Sequence, residues 1–229
     1  MTTRLVTAAA LLAVCGAAAA EDPDYYGARW QVEITNVTPG QTFTPILAAT
    51  HYGSVDMFEP GEPASQAIAD MAEAGDIAPL QAELDAAGYA VSDYQTNGGL
   101  LGPGESVTLT LRGKPGQYLS LAGMLIPTND TFVGIDSVFL PVRGNLTVHA
   151  LAYDAGSEAN DQNCLNIPGP RCMGAPHSPP ADTDEGFVHV SNGFHLLESE
   201  GDGEVLTPAH YDWNNPVAIV EIRRVHGRW

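Results

Sequence analysis

Two neighbouring segments, residues 125–140 and 152–158, constrain the fold and chemistry of this chain most strongly. The first is an apolar run interrupted by a short polar stretch, which predicts two strands joined by a tight loop. The second closes another apolar run and reads AYDAGSE. Carboxylates gather where these strands end, with no His or Cys among them, namely Asp130, Asp136, Asp154 and Glu158.

An all-oxygen set of this kind suits a hard cation such as calcium. We therefore predict a Ca²⁺ site at loop tips of a β-sheet, drawn from these four carboxylates. Asp136, in a Gly-Ile-Asp-Ser turn, either joins this site or caps the turn. The alternative interpretation is that all four acids are turn and loop residues that hold no ion.

The rest of the chain has the pattern of an antiparallel β protein. Residues 30–37 alternate apolar and polar side chains, and residues 105–111 do the same, which is typical of half-buried strands. Residues 118–126 are more continuously apolar, as a central strand would be. Further short strands are expected up to residues 217–225, and together they favour a mainly β, antiparallel sandwich.

Two short helices interrupt this pattern near residues 64–87. Pro63 precedes a segment with apolar residues at helical spacing, and Gly75 is placed to end it. Asp76 then offers a cap for a second helix, which Gly88 ends. We expect the pair to cover a β core.

The motifs around the predicted site resemble the spondin N-terminal domain, known from animal extracellular-matrix proteins and secreted bacterial proteins. The shared pattern is a Pro, two residues and an Asp, then an aromatic followed by Val-Gly-x-Asp-Ser, and later Tyr-Asp-Ala-Gly-x-acid. Weaker matches at residues 43–45, 48–51 and 63–88 follow the family order, so the resemblance covers roughly residues 28–225. It implies a C2-like β-sandwich whose calcium ligands fall on Asp130, Asp154 and Glu158. Glu158 stands where the family usually has Asp, and a longer side chain still reaches a cation.

The charge of the chain restricts its partners. There are 28 Asp and Glu against 9 Lys and Arg, for a formal charge of −19. Such a surface repels nucleic acid and anionic membranes. Most of this charge is explained by a solvated anionic coat, and only the clustered loop acids call for cation binding.

The N-terminus is typical of an exported protein. Arg4, a short apolar run and small residues before Glu21 predict a signal peptide over residues 1–20. Lipid anchoring at Cys15 is an alternative, although Val14 suits it poorly. The run is too short to span a bilayer, and no later segment is long enough. We expect one secreted or periplasmic domain over residues 21–229.

Cys164 and Cys172 flank a short loop rich in Pro and Gly, which in an exported protein predicts a disulfide. This bond would pin an irregular loop over residues 155–185. The seven histidines form no tight metal-binding pair, and His189 and His195 are not expected to hold zinc.

Catalytic motifs such as GxSxG and the P-loop are lacking in the sequence. Their lack favours a non-catalytic role, and the resemblance to the spondin family implies adhesion or binding of an extracellular protein or glycan. The alternative is a secreted hydrolase or carbohydrate-active protein that uses Asp130 and Glu158 as its acid and base.

Overall fold

The structure is a computed structural model that describes residues 28–178, 183–197 and 203–225. The predicted signal peptide, residues 1–20 with Cys15, lies outside the described residues. Within the described ranges the strands are β1 Ala28–Asn36, β2 Thr42–Phe43, β3 Leu47–His51, β4 Val91–Thr96, β5 Ser106–Gly113, β6 Tyr118–Ile126, β7 Thr131–Phe139, β8 Asn145–Asp154, β9 His189–Val190 and β10 Ala218–Val225. The helices are α1 Gln66–Ala74, α2 Ala78–Ala86 and α3 Pro208–Tyr211, with a 3₁₀ turn over Gly88–Ala90.

The strands form one antiparallel sheet in the order β4-β3-β6-β7-β8-β10-β1-β5, with β2 added to β6 and β9 added to β8. The sheet curls until its two end strands approach each other. The Arg112 N–H on β5 donates to the Asp93 Oδ2 on β4 at 2.7 Å, and the Gln117 amide donates to the Ser92 hydroxyl at 2.9 Å. The prediction of a mainly β, antiparallel fold is confirmed, and its shape is close to that of a barrel.

Strand β6 is apolar at most positions because it is covered on both faces. Leu119, Leu121 and Leu125 point into the interior of the curled sheet. Met124 and Ile126 point to the other face and pack in a second cluster with α1 and α2. Side chains alternate between the two faces of a strand, so a strand between two cores buries both sets of side chains and is mostly apolar. Burying each such side chain contributes about 1.5–3 kcal/mol.

The two predicted helices are confirmed. The Ser65 hydroxyl accepts the Ile68 N–H at 3.2 Å at the start of α1, and Gly75 ends that helix in the left-handed conformation, with φ 69°. The Asp76 carboxylate accepts the Ala78 N–H at 2.9 Å at the start of α2. The sequence pattern did not predict β4, which follows the 3₁₀ turn. This end strand is only half-buried, so it lacks a clear apolar alternation.

The predicted disulfide is confirmed, because Cys164 and Cys172 are bonded with their Cα atoms 4.8 Å apart. The loop it closes is anchored in the interior by Ile167, which is fully buried. The Cys164 N–H also donates to the Glu204 carbonyl at 2.8 Å. Among the helices of the described residues, none has the length and apolar character needed to cross a membrane.

Candidate metal centre

Asp130 and Asp154 meet because β7 and β8 are neighbouring antiparallel strands. Thr131 pairs with Asp154 in the ladder, so Asp130 lies one residue before β7 and beside the last residue of β8. The Ala155 N–H donates to the Asp130 carbonyl at 3.1 Å and holds the two strand ends together. The local pairing therefore places two carboxylates at the same edge of the sheet.

A tight turn after β8 holds the backbone of Glu158 against the Asp130 carboxylate. The Asp130 Oδ2 accepts the Ser157 N–H at 2.8 Å and the Glu158 N–H at 3.0 Å. Gly156 adopts a positive φ of 65°, and a Cβ there would overlap the Phe187 carbonyl oxygen. The Asp-Ala-Gly-Ser-Glu turn thus needs glycine at its centre and the Asp130 carboxylate as its anchor.

The three carboxylates are almost completely buried, at 0%, 1% and 2% exposure for Asp130, Asp154 and Glu158. Within the described part of the chain, the Asp130 Oδ1 and the Glu158 Oε2 are buried and have no hydrogen-bond partner. A buried acceptor left unpaired costs about 1–3 kcal/mol, and more when it is charged. Two buried, unpaired carboxylate oxygens in an all-oxygen group fit a hard divalent cation.

Burial disfavours the charged forms of these three carboxylates. Burial, followed by repulsion from Asp154, raises the pKa of Asp130 well above its usual range. Burial also raises the pKa of Asp154, against the opposing hydrogen bonds from Asn160 and Gly156. Burial raises the pKa of Glu158 to about 7. Each of these carboxylates would gain free energy from a neighbouring cation. Among the described residues, the set of three acidic or histidine side chains whose ligand atoms lie within 4.8 Å of one another is a different one that shares Asp154, so the carboxylates of Asp130, Asp154 and Glu158 do not converge that closely.

Glu158 is also held from the side of α1. The Ser178 N–H donates to the Glu158 Oε1. The adjacent His177 places its Nδ1 2.6 Å from the Glu73 Oε2, and Glu73 is a buried residue of α1. The Glu158 side chain is therefore linked to helix α1 through the neighbouring residues Ser178 and His177.

Asp136 is not brought to this group. It lies on β7 six residues after Asp130, which is roughly 20 Å along an extended strand. Its Oδ1 accepts hydrogen bonds from the Ser120 and Ser137 hydroxyls, both at 3.3 Å. Burial and repulsion from Asp56 raise the pKa of Asp136. Asp136 lies within β7 at a register irregularity, beside Ser137 with a φ of 50°, so the structure does not show the turn that the sequence predicted there.

Beside Asp154 lie Glu185, for which the sequence predicts no role, and His189, which is not expected from the sequence to hold zinc. One oxygen or nitrogen atom from each of Asp154, Glu185 and His189 lies within 4.8 Å of the others. His189 is placed there because β9 pairs with β8, opposite Asp154. A strand of two residues has no periodicity that could identify its partner strand, and Glu185 lies in an irregular loop, so no sequence signal marks this approach.

Comparison with protein-family models gives a match to Spondin_N over residues 34–162. This range covers more than half of the chain. It includes Asp130, Asp154 and Glu158, and it stops before Glu185 and His189. A search of curated proteins found no match.

Proposed function

Because this chain belongs to the Spondin_N family, we propose that it is an extracellular, non-catalytic module that binds Ca²⁺ through Asp130, Asp154 and Glu158. Its fold is proposed to be a strongly curled variant of the C2-like sandwich. The disulfide between Cys164 and Cys172 supports an extracellular location, because such bonds persist in oxidising compartments.

The observation that carries the calcium proposal is the pair of buried, unpaired oxygens, Asp130 Oδ1 and Glu158 Oε2. Burying ionised carboxylates without a partner is strongly unfavourable. Ca²⁺ accepts six to eight oxygen ligands in flexible geometry. Three carboxylates from two loops, completed by backbone oxygens or water, meet that need.

The proposed role of the ion is to fix the loop after β8. Glu158 lies at the start of a long irregular segment, and an ion shared by Asp130 and Glu158 would lock that segment to the sheet edge. The segment would then offer a rigid surface to an extracellular protein or glycan. Partner binding that requires Ca²⁺ is the expected behaviour.

Catalysis by the same carboxylates is the competing proposal. The pKa of Glu158, raised by burial to about 7, would suit a general acid. However, Asp130 and Glu158 are at most 2% exposed, so a substrate could not reach them without opening the loop. Hydrolytic activity that survives EDTA but is lost in Asp130→Asn would favour catalysis over calcium binding.

Thermal unfolding tests the calcium proposal. We expect the melting temperature in EDTA to rise on addition of millimolar Ca²⁺. At a concentration 100 times Kd the gain is about 2.7 kcal/mol, or roughly 5–10 °C for a chain of this size. Asp154→Asn should abolish the response. Asp136→Asn is the matched control and should keep it. A wild-type protein that does not respond to Ca²⁺ would refute the proposal.

A further inference from the structure

The second side of Asp154 faces a different set of ligand atoms. The His189 Nε2 lies 3.6 Å from the Asp154 Oδ1, which is beyond hydrogen-bond distance. Glu185 completes the group, with one ligand atom of each residue within 4.8 Å of the others. Here an imidazole nitrogen joins two carboxylates, so the chemistry differs from the all-oxygen group of Asp130 and Glu158.

The His189 ring is oriented as a metal ligand would be. Its Nδ1 lies 3.1 Å from the Val190 carbonyl oxygen, which can only accept a hydrogen bond. The proton of the neutral ring therefore sits on Nδ1, and Nε2 carries the lone pair. Within the described ranges this Nε2 is buried and has no hydrogen-bond partner. A backbone carbonyl that fixes the far nitrogen is the usual support of a metal-bound histidine.

The two carboxylates are aligned by one amide. The Asn160 Nδ2 donates to the Asp154 Oδ2 at 2.9 Å and to the Glu185 Oε1 at 3.3 Å. The Gly156 N–H donates to the Asp154 Oδ1 at 2.9 Å. Asp154 is buried, whereas Glu185 is exposed and free to adjust its side chain. The group therefore combines two fixed ligands with one adaptable ligand.

We propose that Asp154, Glu185 and His189 bind a second divalent ion, a first-row transition metal such as Zn²⁺. Imidazole suits zinc and its neighbours, whereas calcium and magnesium take oxygen ligands. Tetrahedral ligands at zinc distances lie about 3.3 Å apart, so the group must contract slightly, and exposed Glu185 supplies the movement. Three protein ligands leave a fourth position for water or a partner group.

The proposed site goes beyond the calcium proposal and does not depend on it. Glu185 and His189 lie outside the range matched by the family model. Asp154 would be shared, with one ion on the side of Asp130 and the other on the side of His189. A simple ion pair between protonated His189 and Asp154 is the competing explanation, and it assigns no role to Glu185.

Calorimetric titration with ZnCl₂, in saturating Ca²⁺, tests the proposal. We expect one Zn²⁺ per chain in the wild type. His189→Ala should weaken binding by at least roughly 10–100-fold, the loss typical when a residue that supports a ligand is removed, and Glu185→Gln should also weaken it. His149→Ala is the matched control, because His149 is exposed on β8, and it should leave the affinity unchanged. Thermal unfolding in EDTA verifies that each variant folds. If His189→Ala does not fold, Glu185→Gln still tests the site, because Glu185 is exposed.

Zinc affinity that is unchanged in both His189→Ala and Glu185→Gln would overturn the second site. Asp130→Asn separates the two proposals, since it should remove the calcium response and keep zinc binding. If Asp130→Asn weakens zinc as much as His189→Ala does, there is one ion site and the present proposal is wrong. If calcium has no effect while zinc binding depends on His189, the second site stands and the calcium proposal fails.

Discussion

Asp130 anchors the backbone of Glu158, because its Oδ2 accepts the Glu158 N–H at 3.0 Å while its own Oδ1 remains buried and unpaired among the described residues. One carboxylate therefore positions another. The oxygen that shapes the turn and the oxygen offered to a cation belong to the same side chain. These two roles of Asp130, in shaping the turn and in binding a cation, can be tested separately in the absence and presence of Ca²⁺.

The effect of Asp130→Asn on the melting temperature should reverse when calcium is added. An Asn side chain keeps one oxygen for the Ser157 and Glu158 N–H groups and removes the charge that repels Asp154. In EDTA we expect a melting temperature equal to or a few degrees above that of the wild type, since about 1 kcal/mol shifts it by 2–4 °C. In Ca²⁺ the variant should melt below the wild type. A lower melting temperature in EDTA would show that the Asp130 charge stabilises the metal-free fold.

Metal-free stability should fall as pH rises from 5 to 8. The pKa of Glu158, raised by burial to about 7, means that the folded state holds its proton more tightly than the unfolded state does. The free energy of unfolding therefore decreases as the pH rises from the pKa of Glu158 in the unfolded chain, near 4.3, to about 7. The pKa of His177, raised by its hydrogen bond to Glu73, acts in the same direction.

Urea unfolding in EDTA across this pH range measures the effect. Glu158→Gln should flatten the slope, whereas Glu83→Gln on the exposed face of α2 should not. Stability that rises between pH 5 and 8 in the wild type would contradict the raised pKa of Glu158.

Gly156→Ala should disrupt the turn that carries Glu158. The left-handed backbone costs about 1–2 kcal/mol for alanine, and overlap with the Phe187 carbonyl adds about 1–3 kcal/mol. Calcium affinity should fall as well. The control is Gly144→Ala, at a similar φ of 71° with open space around it, which should show only the backbone cost. An equal loss of unfolding free energy in Gly156→Ala and Gly144→Ala would show that overlap with the Phe187 carbonyl adds no cost.

Removal of the disulfide should weaken the fold without removing the ion site. The closed loop is short, with a sequence separation of 8, so the chain-entropy model gives about 2–3 kcal/mol. We expect Cys164→Ser with Cys172→Ser to lower the free energy of unfolding, measured by urea unfolding, by that amount and to keep the calcium-induced rise in melting temperature. Loss of the calcium response would show that the disulfide also orders Glu158.

The sequence by itself determined most strands, both principal helices, the disulfide and the meeting of Asp130 with Asp154, because these depend on local periodicity, on end signals such as Gly75 and on two strands adjacent in the chain. The tertiary structure alone decided the near-closure of the sheet, the separation of Asp136 from the other acids and the approach of Glu185 and His189 to Asp154. Those features depend on contacts between distant segments. Burial, which raises the pKa of Glu158, likewise exists only once helix α1 and the long loop have packed against the sheet.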